Sequence, residues 1–193
     1  LNLPKLSLED FNMGQLSNFL DHLNNRIQKG DGAAVVSELC DHLRNCRTAM
    51  SSGEWRTDVV DICRKHPIQA LLLEDPYTAR AYRKPRGYAG DAVMLDFIYT
   101  GEPPPGTSDI GHAIFQGTTG LPNGQSVIAR RNLLAKRIDQ AATGRTAPKV
   151  LSIACGHLRE AQHATAVSKG SLAELLAFDQ DLESLKMISR SLP

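Results

Sequence analysis

Apolar residues recur along the first fifty positions at helical spacing. Met13, Leu16, Leu20, Leu23 and Ile27 follow one another in steps of three and four, and Lys29-Gly30 ends the run. Val36, Leu39, Leu43, Cys46 and Met50 repeat the pattern as far as Ser51-Ser52-Gly53. Such spacing lays one narrow apolar stripe along each helix. Ser7, with Asp10 three residues on, makes a capping-box-like start for the first. The short Asp31-Gly32 turn between the two predicts an antiparallel hairpin. Neither stripe can be buried alone, so each is core or the seam of a homodimer. Trp55, Val59, Ile62 and Cys63 offer a third packing face, and Pro67 suits the first position of a short helix ending near Leu73.

The periodicity is lost from 75 to 91, where Asp75-Pro76-Tyr77 and then Pro85, Gly87 and Gly90 read as a loop rich in Tyr and Arg. It returns as a helix over 92–99 that stops at Gly101. Pro103-Pro104-Pro105-Gly106 follows as a stiff spacer. A short helix over 109–115, a loop through Gly124 and a longer helix carrying Val127, Leu134 and Ile138 lead to Thr143-Gly144. After Pro148 the pattern changes. Lys149-Val150-Leu151-Ser152-Ile153-Ala154 reads as a buried strand and Cys155-Gly156-His157 as a tight turn. Residues 158–168 read as a helix, 174–178 as a second strand ending at Asp179, and 181–189 as another helix. Strand, helix and strand of this length imply a parallel pair joined by a right-handed crossover. The fold class is therefore α/β, with a mostly helical domain over 1–144 and the first strands of a second domain over 148–193.

The chain has 193 residues, 22 Lys+Arg against 21 Asp+Glu, and a net charge of +1. That balance argues against a protein that coats nucleic acid. No apolar run is long enough to span a bilayer, and the first residues carry no signal-peptide pattern. The four cysteines, Cys40, Cys46, Cys63 and Cys155, include no C-x-x-C pair. They read as reduced thiols of a cytoplasmic protein. His157 and His163 lie six apart, off one helical face, so no metal site is expected; the histidines read as surface or hydrogen-bonded groups.

The chemistry concentrates in two segments. Ala154-Cys155-Gly156 is a small-residue turn where the chain leaves a strand, so backbone N–H groups and a helix start can approach a ligand. Asp179 stands at the tip of the next strand, at the interval where a carboxylate receives ribose hydroxyls. The turn lacks the full G-x-G-x-x-G that holds a pyrophosphate, which suits S-adenosylmethionine (SAM) better than a dinucleotide. In the other segment Arg80, Arg83, Lys84 and Arg86 alternate with Tyr77, Tyr82 and Tyr88, a composition fit for an anion.

Val-Leu-Ser-Ile-Ala-Cys-Gly (150–156) and Ala-Phe-Asp-Gln-Asp-Leu-Glu-Ser-Leu (177–185) resemble the first and second motifs of class I SAM-dependent methyltransferases. Lys-Pro-Arg-Gly-Tyr-Ala-Gly-Asp (84–91), together with Cys155-Gly156-x-x-Arg159-Glu160, is similar to a narrower branch. Its members are bacterial 3-hydroxypalmitic acid methyl ester biosynthesis proteins. The resemblance covers roughly residues 70–190. It implies a Rossmann-like fold with SAM as methyl donor. Ala154, Cys155 and Gly156 would line its methionine part, Asp179 would bind the ribose, and Gln180 would lie beside the adenine. It also implies a hydroxy fatty acid whose carboxylate is methylated to an ester signal used in quorum sensing. Arg86 is then expected to hold that carboxylate, Tyr88 to position the substrate or methyl group, and Tyr82, Arg83 and Lys84 to bind substrate.

Ser152 stands where many members have an acid, and His157-Leu158 replaces their second glycine region. A full fold of this class needs about seven strands, and only two are legible here. The chain is accordingly expected to be the N-terminal part of a longer enzyme and weakly active or inactive alone. Two rivals remain: a methyltransferase for another small carboxylic acid or hydroxyl, and a helical interaction module carrying a vestigial SAM fold.

Overall fold

The computed structural model describes residues 13–191, with only the backbone of Met13 and Ser191. The capping box expected at Ser7 and Asp10 lies outside the described residues, as does the packing of the Met13 side chain. The helices run α1 (Met13–Gln28), α2 (Gly32–Ala49), α3 (Ser52–Glu54), α4 (Asp61–Lys65), α5 (Ile68–Leu72) and α6 (Pro76–Arg83). They continue as α7 (Ala92–Thr100), α8 (Asp109–Thr119) and α9 (Pro122–Ala142). Strand β1 (Lys149–Ile153), α10 (Arg159–Gln162), α11 (Thr165–Ser168), β2 (Glu174–Phe178) and α12 (Leu182–Ser191) complete the order. A π-helical stretch, Trp55–Val60, joins α3 to α4. The described chain is thus mostly helical with one parallel pair of strands, which agrees with a helical domain attached to an α/β element.

Contacts divide the chain into two compact units: Leu1–Arg83 with Glu102–Leu121, and Lys84–Gly101 with Pro122–Pro193. This differs from the division expected at 144–148. Residues 84–101 and α9 belong with the strands, because α7 and α9 supply the side chains that pack on and bond to the strand-end turn.

In the first unit both apolar stripes are buried as their spacing requires. Leu16, Leu20, Leu23 and Ile27 of α1 meet Val35, Val36, Leu39 and Cys46 of α2 in one core. Val59 joins it fully buried, with Trp55, Ile62 and Cys63 packed at its edge. Helix α8 is longer than expected and sends Ile114 into the same core. It passes close to α2 because Gly117 has no side chain; a Cβ there would sit 2.7 Å from the carbonyl oxygen of Ala33. The stretch 76–83 is helix where a loop was expected. Fully buried Asp75 accepts the N–H groups of Tyr77 (2.9 Å) and Thr78 (3.0 Å). Asp75-Pro76 therefore starts a helix, with an N-cap acid and proline in the first position.

In the second unit β1 and β2 pair parallel, Lys149 opposite Glu174 through Ile153 opposite Phe178. Val150 packs with Ala135 and Ile138 of α9, and Leu175 and Ala177 pack with Leu158, Ala161 and Ile188. The single helix expected over 158–168 is two short ones, with Ala164 extended between them (φ −90°, ψ 122°). Tertiary packing overrides helix propensity here: Ala164 and Ala166 are buried against α9, and Asp139 takes the N–H of Ala166 at 2.7 Å. Helix 124-onward begins earlier than expected, at Pro122.

Candidate functional site

At the end of β1 the backbone enters the left-handed region at every second residue: Ala154 (φ 55°), Gly156 (φ 54°) and Leu158 (φ 50°). Only glycine adopts this without cost, so Ala154 and Leu158 store strain of about 1–2 kcal/mol each. Cys155 N–H continues the ladder to the Phe178 carbonyl at 3.2 Å. Gly156 N–H donates to Asp179 Oδ2 at 2.7 Å, and Asp181 N–H donates to Asp179 Oδ1 at 2.8 Å. One carboxylate thus joins the tips of both strands, and each of its oxygens keeps accepting capacity. A Cβ at Gly156 would come within 3.2 Å of the Ala92 methyl, so α7 lies directly against the turn.

The 84–91 loop reaches the same region. Arg86 Nη1 donates to Asp181 Oδ2 (2.7 Å) and to Ser184 Oγ (3.1 Å), and Tyr88 Oη donates to Asp181 Oδ2 at 3.3 Å. Asp181 Oδ1 accepts the Glu183 N–H at the start of α12 (3.0 Å). The Arg86 and Asp181 side chains are 17% and 9% exposed, so this ion pair is largely shielded from solvent. Burial works to raise the Asp181 carboxyl, but hydrogen bonds from Ser184 and Arg86 outweigh it and hold it below its ordinary range. Burial, then the charge of Asp181, pushes the Tyr88 phenol up. Asp91, 1% exposed, caps α7 by accepting the N–H groups of Val93 and Met94.

A second cluster was not anticipated. Asp96 of α7 accepts Arg159 Nε and Nη2 and the Nδ1–H of His157, each at 2.7 Å. Burial acts to raise the Asp96 carboxyl; the bonds from Arg159 and His157 overcome it and lower it to about 2. His157 is neither a surface group nor a fully bonded one. Its side chain is 3% exposed, and its Nε2 has no hydrogen-bond partner among the described residues. A cleft of about 240 Å³ lies here, lined by Ala154 through Glu160, by Ala92, Asp96 and Tyr99 of α7, and by Arg130 of α9. Burial raises both the Tyr99 phenol and the Glu160 carboxyl at its wall. The Arg131 guanidinium lies over the Tyr99 ring at 4.8 Å. One signal for this cluster is present in the sequence: Asp96 is the lone charge in Ala-Val-Met-Leu-Asp-Phe-Ile-Tyr, and an acid drawn partly out of water by such a stretch needs paired partners.

No protein-family model, curated protein or solved structure matches the chain.

The structure thus brings Ala154, Cys155, Gly156, Asp179, Arg86 and Tyr88 into one unit around the strand tips. Gln180 is exposed beside Asp179. Tyr82 and Arg83 are exposed at the end of α6 in the other unit, and Lys84 is exposed where the second unit begins, with φ 50°. Burial, then the nearby charge of Asp179, raises the Cys155 thiol. That keeps it protonated and makes it a filler of the turn, not an activated nucleophile. Among the described residues no three His, Cys, Asp or Glu side chains are grouped to hold a metal ion, and no helix is long and apolar enough to cross a membrane. A larger groove of about 570 Å³ lies along β2 and α12, but its lining is chiefly apolar, with Glu174 as its one charged residue.

Proposed function

We propose that the second unit binds the nucleoside of SAM at the tips of β1 and β2, and that the protein is a SAM-dependent O-methyltransferase. One observation carries the reading: the 2.7 Å bond between Gly156 N–H and the Asp179 carboxylate, at the C-terminal ends of two parallel strands. Ligands of open α/β sheets sit at that end. A small-residue turn and a strand-tip acid converging there suit a nucleoside without a pyrophosphate. The donor, when bound, supplies a methyl group on a sulfonium. Asp179 accepts the ribose hydroxyls, Gln180 lies beside the adenine, and the backbone of 154–156 lines the methionine part. The 240 Å³ cleft is below the size that encloses a drug-sized ligand, so it takes one part of the assembly.

The resemblance of 84–91 and 155–160 to the fatty-acid ester branch favours a hydroxy fatty acid carboxylate as acceptor. Arg86 spends Nη1 on Asp181 and Ser184 and its charge on Asp181, so it holds the 84–91 loop on the start of α12. The alternative acceptor, a hydroxyl, is favoured by the bare His157 nitrogen. Titration calorimetry with SAM and with S-adenosylhomocysteine tests the donor. Binding that weakens at least ten-fold in Asp179→Asn supports the proposal. Absence of heat with both compounds defeats it and leaves a helical interaction module. Comparing the lipid extracts of cells with and without the gene by mass spectrometry tests the ester product.

A further inference from the structure

The Asp96–His157 pair has the chemistry of a proton acceptor. Asp96 is an anion over the whole neutral range, with its carboxyl lowered to about 2, and it can only accept hydrogen bonds. The 2.7 Å contact at Nδ1 therefore places a proton on that nitrogen. In the neutral ring the lone pair is then on Nε2. Arg159 grips both oxygens of Asp96 and sets the plane of the carboxylate. The ring is thus locked in one tautomer and one orientation, as a second carboxylate shell does for functional histidines. Leaving a polar atom buried without a partner costs stability. Within the strained turn, where Leu158 is also left-handed, that cost coincides with stored strain, the combination that marks functional sites.

The charges around the cleft decide what His157 would receive. Arg159 is neutralised by Asp96, and the Glu160 carboxyl, raised by burial, feels the charge of Arg130. The His157 residue is part of the cleft wall with its Nε2 buried, and the cation at the wall, Arg130, is exposed. A carboxylate would meet the Nε2 lone pair with repulsion. A hydroxyl would donate to it.

We infer that His157 Nε2 is the hydrogen-bond and proton acceptor for the hydroxyl of the methyl acceptor, seated in the cleft between the 154–160 turn and α7. This rests on the donor reading above and selects, among its acceptors, one whose reacting oxygen carries a proton. As that oxygen becomes nucleophilic its O–H bond breaks, the electron pair stays on oxygen and the proton bonds to Nε2. The resulting imidazolium keeps its Nδ1–H bond to Asp96, a carboxylate it shares with Arg159.

The test uses the full chain with ¹⁵N-labelled histidine. NMR of the His157 ring is expected to show a protonated Nδ1 and an unprotonated Nε2. Phenol, as a small hydroxyl probe, should shift Nε2 in a saturable way, and benzoate should not. Phenol affinity should fall at least ten-fold in His157→Phe, and Asp96→Asn should invert the tautomer. A proton on Nε2 in the wild-type chain, or a benzoate shift equal to that of phenol, overturns the inference; both are read on the wild-type chain. S-adenosylhomocysteine calorimetry runs beside it. Its failure with the phenol response intact removes the donor reading and leaves His157 as a hydroxyl-binding group without methyl transfer. Its success with no phenol response removes the role of His157 alone.

Discussion

At the residue scale the turn after β1 shows how much strain a site holds. Ala154 is exposed and left-handed, so its methyl contributes little burial while costing backbone energy. Replacing it by glycine relieves about 1–2 kcal/mol of strain and returns part of that as unfolded-state entropy. Ala154→Gly is expected to raise the stability of the chain by about 0.5–1 kcal/mol in urea denaturation. The same change at Leu158 would lose, because that side chain is 1% exposed and packed. Asp96 makes the other residue-scale prediction. Its carboxyl falls from 3.8 to about 2 on folding, so the folded state binds the proton less readily than the unfolded one. Its stabilisation is fully present above pH 4 and is lost as pH falls through 2. Partial exposure discounts it to roughly 1–2 kcal/mol. Between pH 5 and pH 2.5 the wild-type chain should lose about two-thirds of that stability relative to Asp96→Asn, measured by denaturant midpoints.

At the element scale the 84–91 loop is held by its bonds to a helix start. Arg86, Tyr88 and Ser184 converge on Asp181, which caps α12 through its other oxygen. Removing Arg86 leaves a shielded carboxylate without its cation. Arg86→Ala should cost about 2–3 kcal/mol and speed amide hydrogen exchange in the first turn of α12. Arg86→Lys keeps the charge but not the guanidinium's fork of donors, so it should recover only part. If Arg86 instead served only a ligand, neither variant would change exchange in α12. Helices elsewhere follow local rules to differing extents. The α1 and α2 stripes are buried as their periodicity demands, and Asp75-Pro76 starts α6 by ordinary capping chemistry. The break at Ala164 has no such local cause; it comes from packing on α9 and the bond from Ala166 to Asp139.

At the scale of the whole molecule the two-stranded sheet presents one bare face. Leu151, Ile153, Leu176 and Phe178 are 58%, 70%, 49% and 64% exposed, paired across the strands as Leu151 with Leu176 and Ile153 with Phe178. Parallel strands are ordinarily covered on both faces, and four adjacent large apolar side chains form a patch of the kind that binds other surfaces. The chain is expected to enhance the fluorescence of anilinonaphthalene sulfonate in its folded state. Phe178→Lys should markedly reduce that signal without lowering the unfolding midpoint. An unchanged signal would place the dye elsewhere.

The sequence alone determined the features whose cause is local. Periodicity set the first two helices, small residues and a β-rich run set the strand and its turn, and the interval to Asp179 set the acid at the second strand tip. Those rules act over a few residues, or over one strand-to-strand repeat. Only the tertiary structure decided where Arg86 and Asp96 spend their charge. Arg86 meets a carboxylate 95 residues away, and Asp96 meets a histidine 61 residues away. No local pattern encodes such partners, because a charge is paired by whatever the folded chain brings within a few ångströms. The same fact pairs Arg86, expected to hold substrate, with Asp181, and buries His157, expected at the surface or fully hydrogen-bonded, against Asp96.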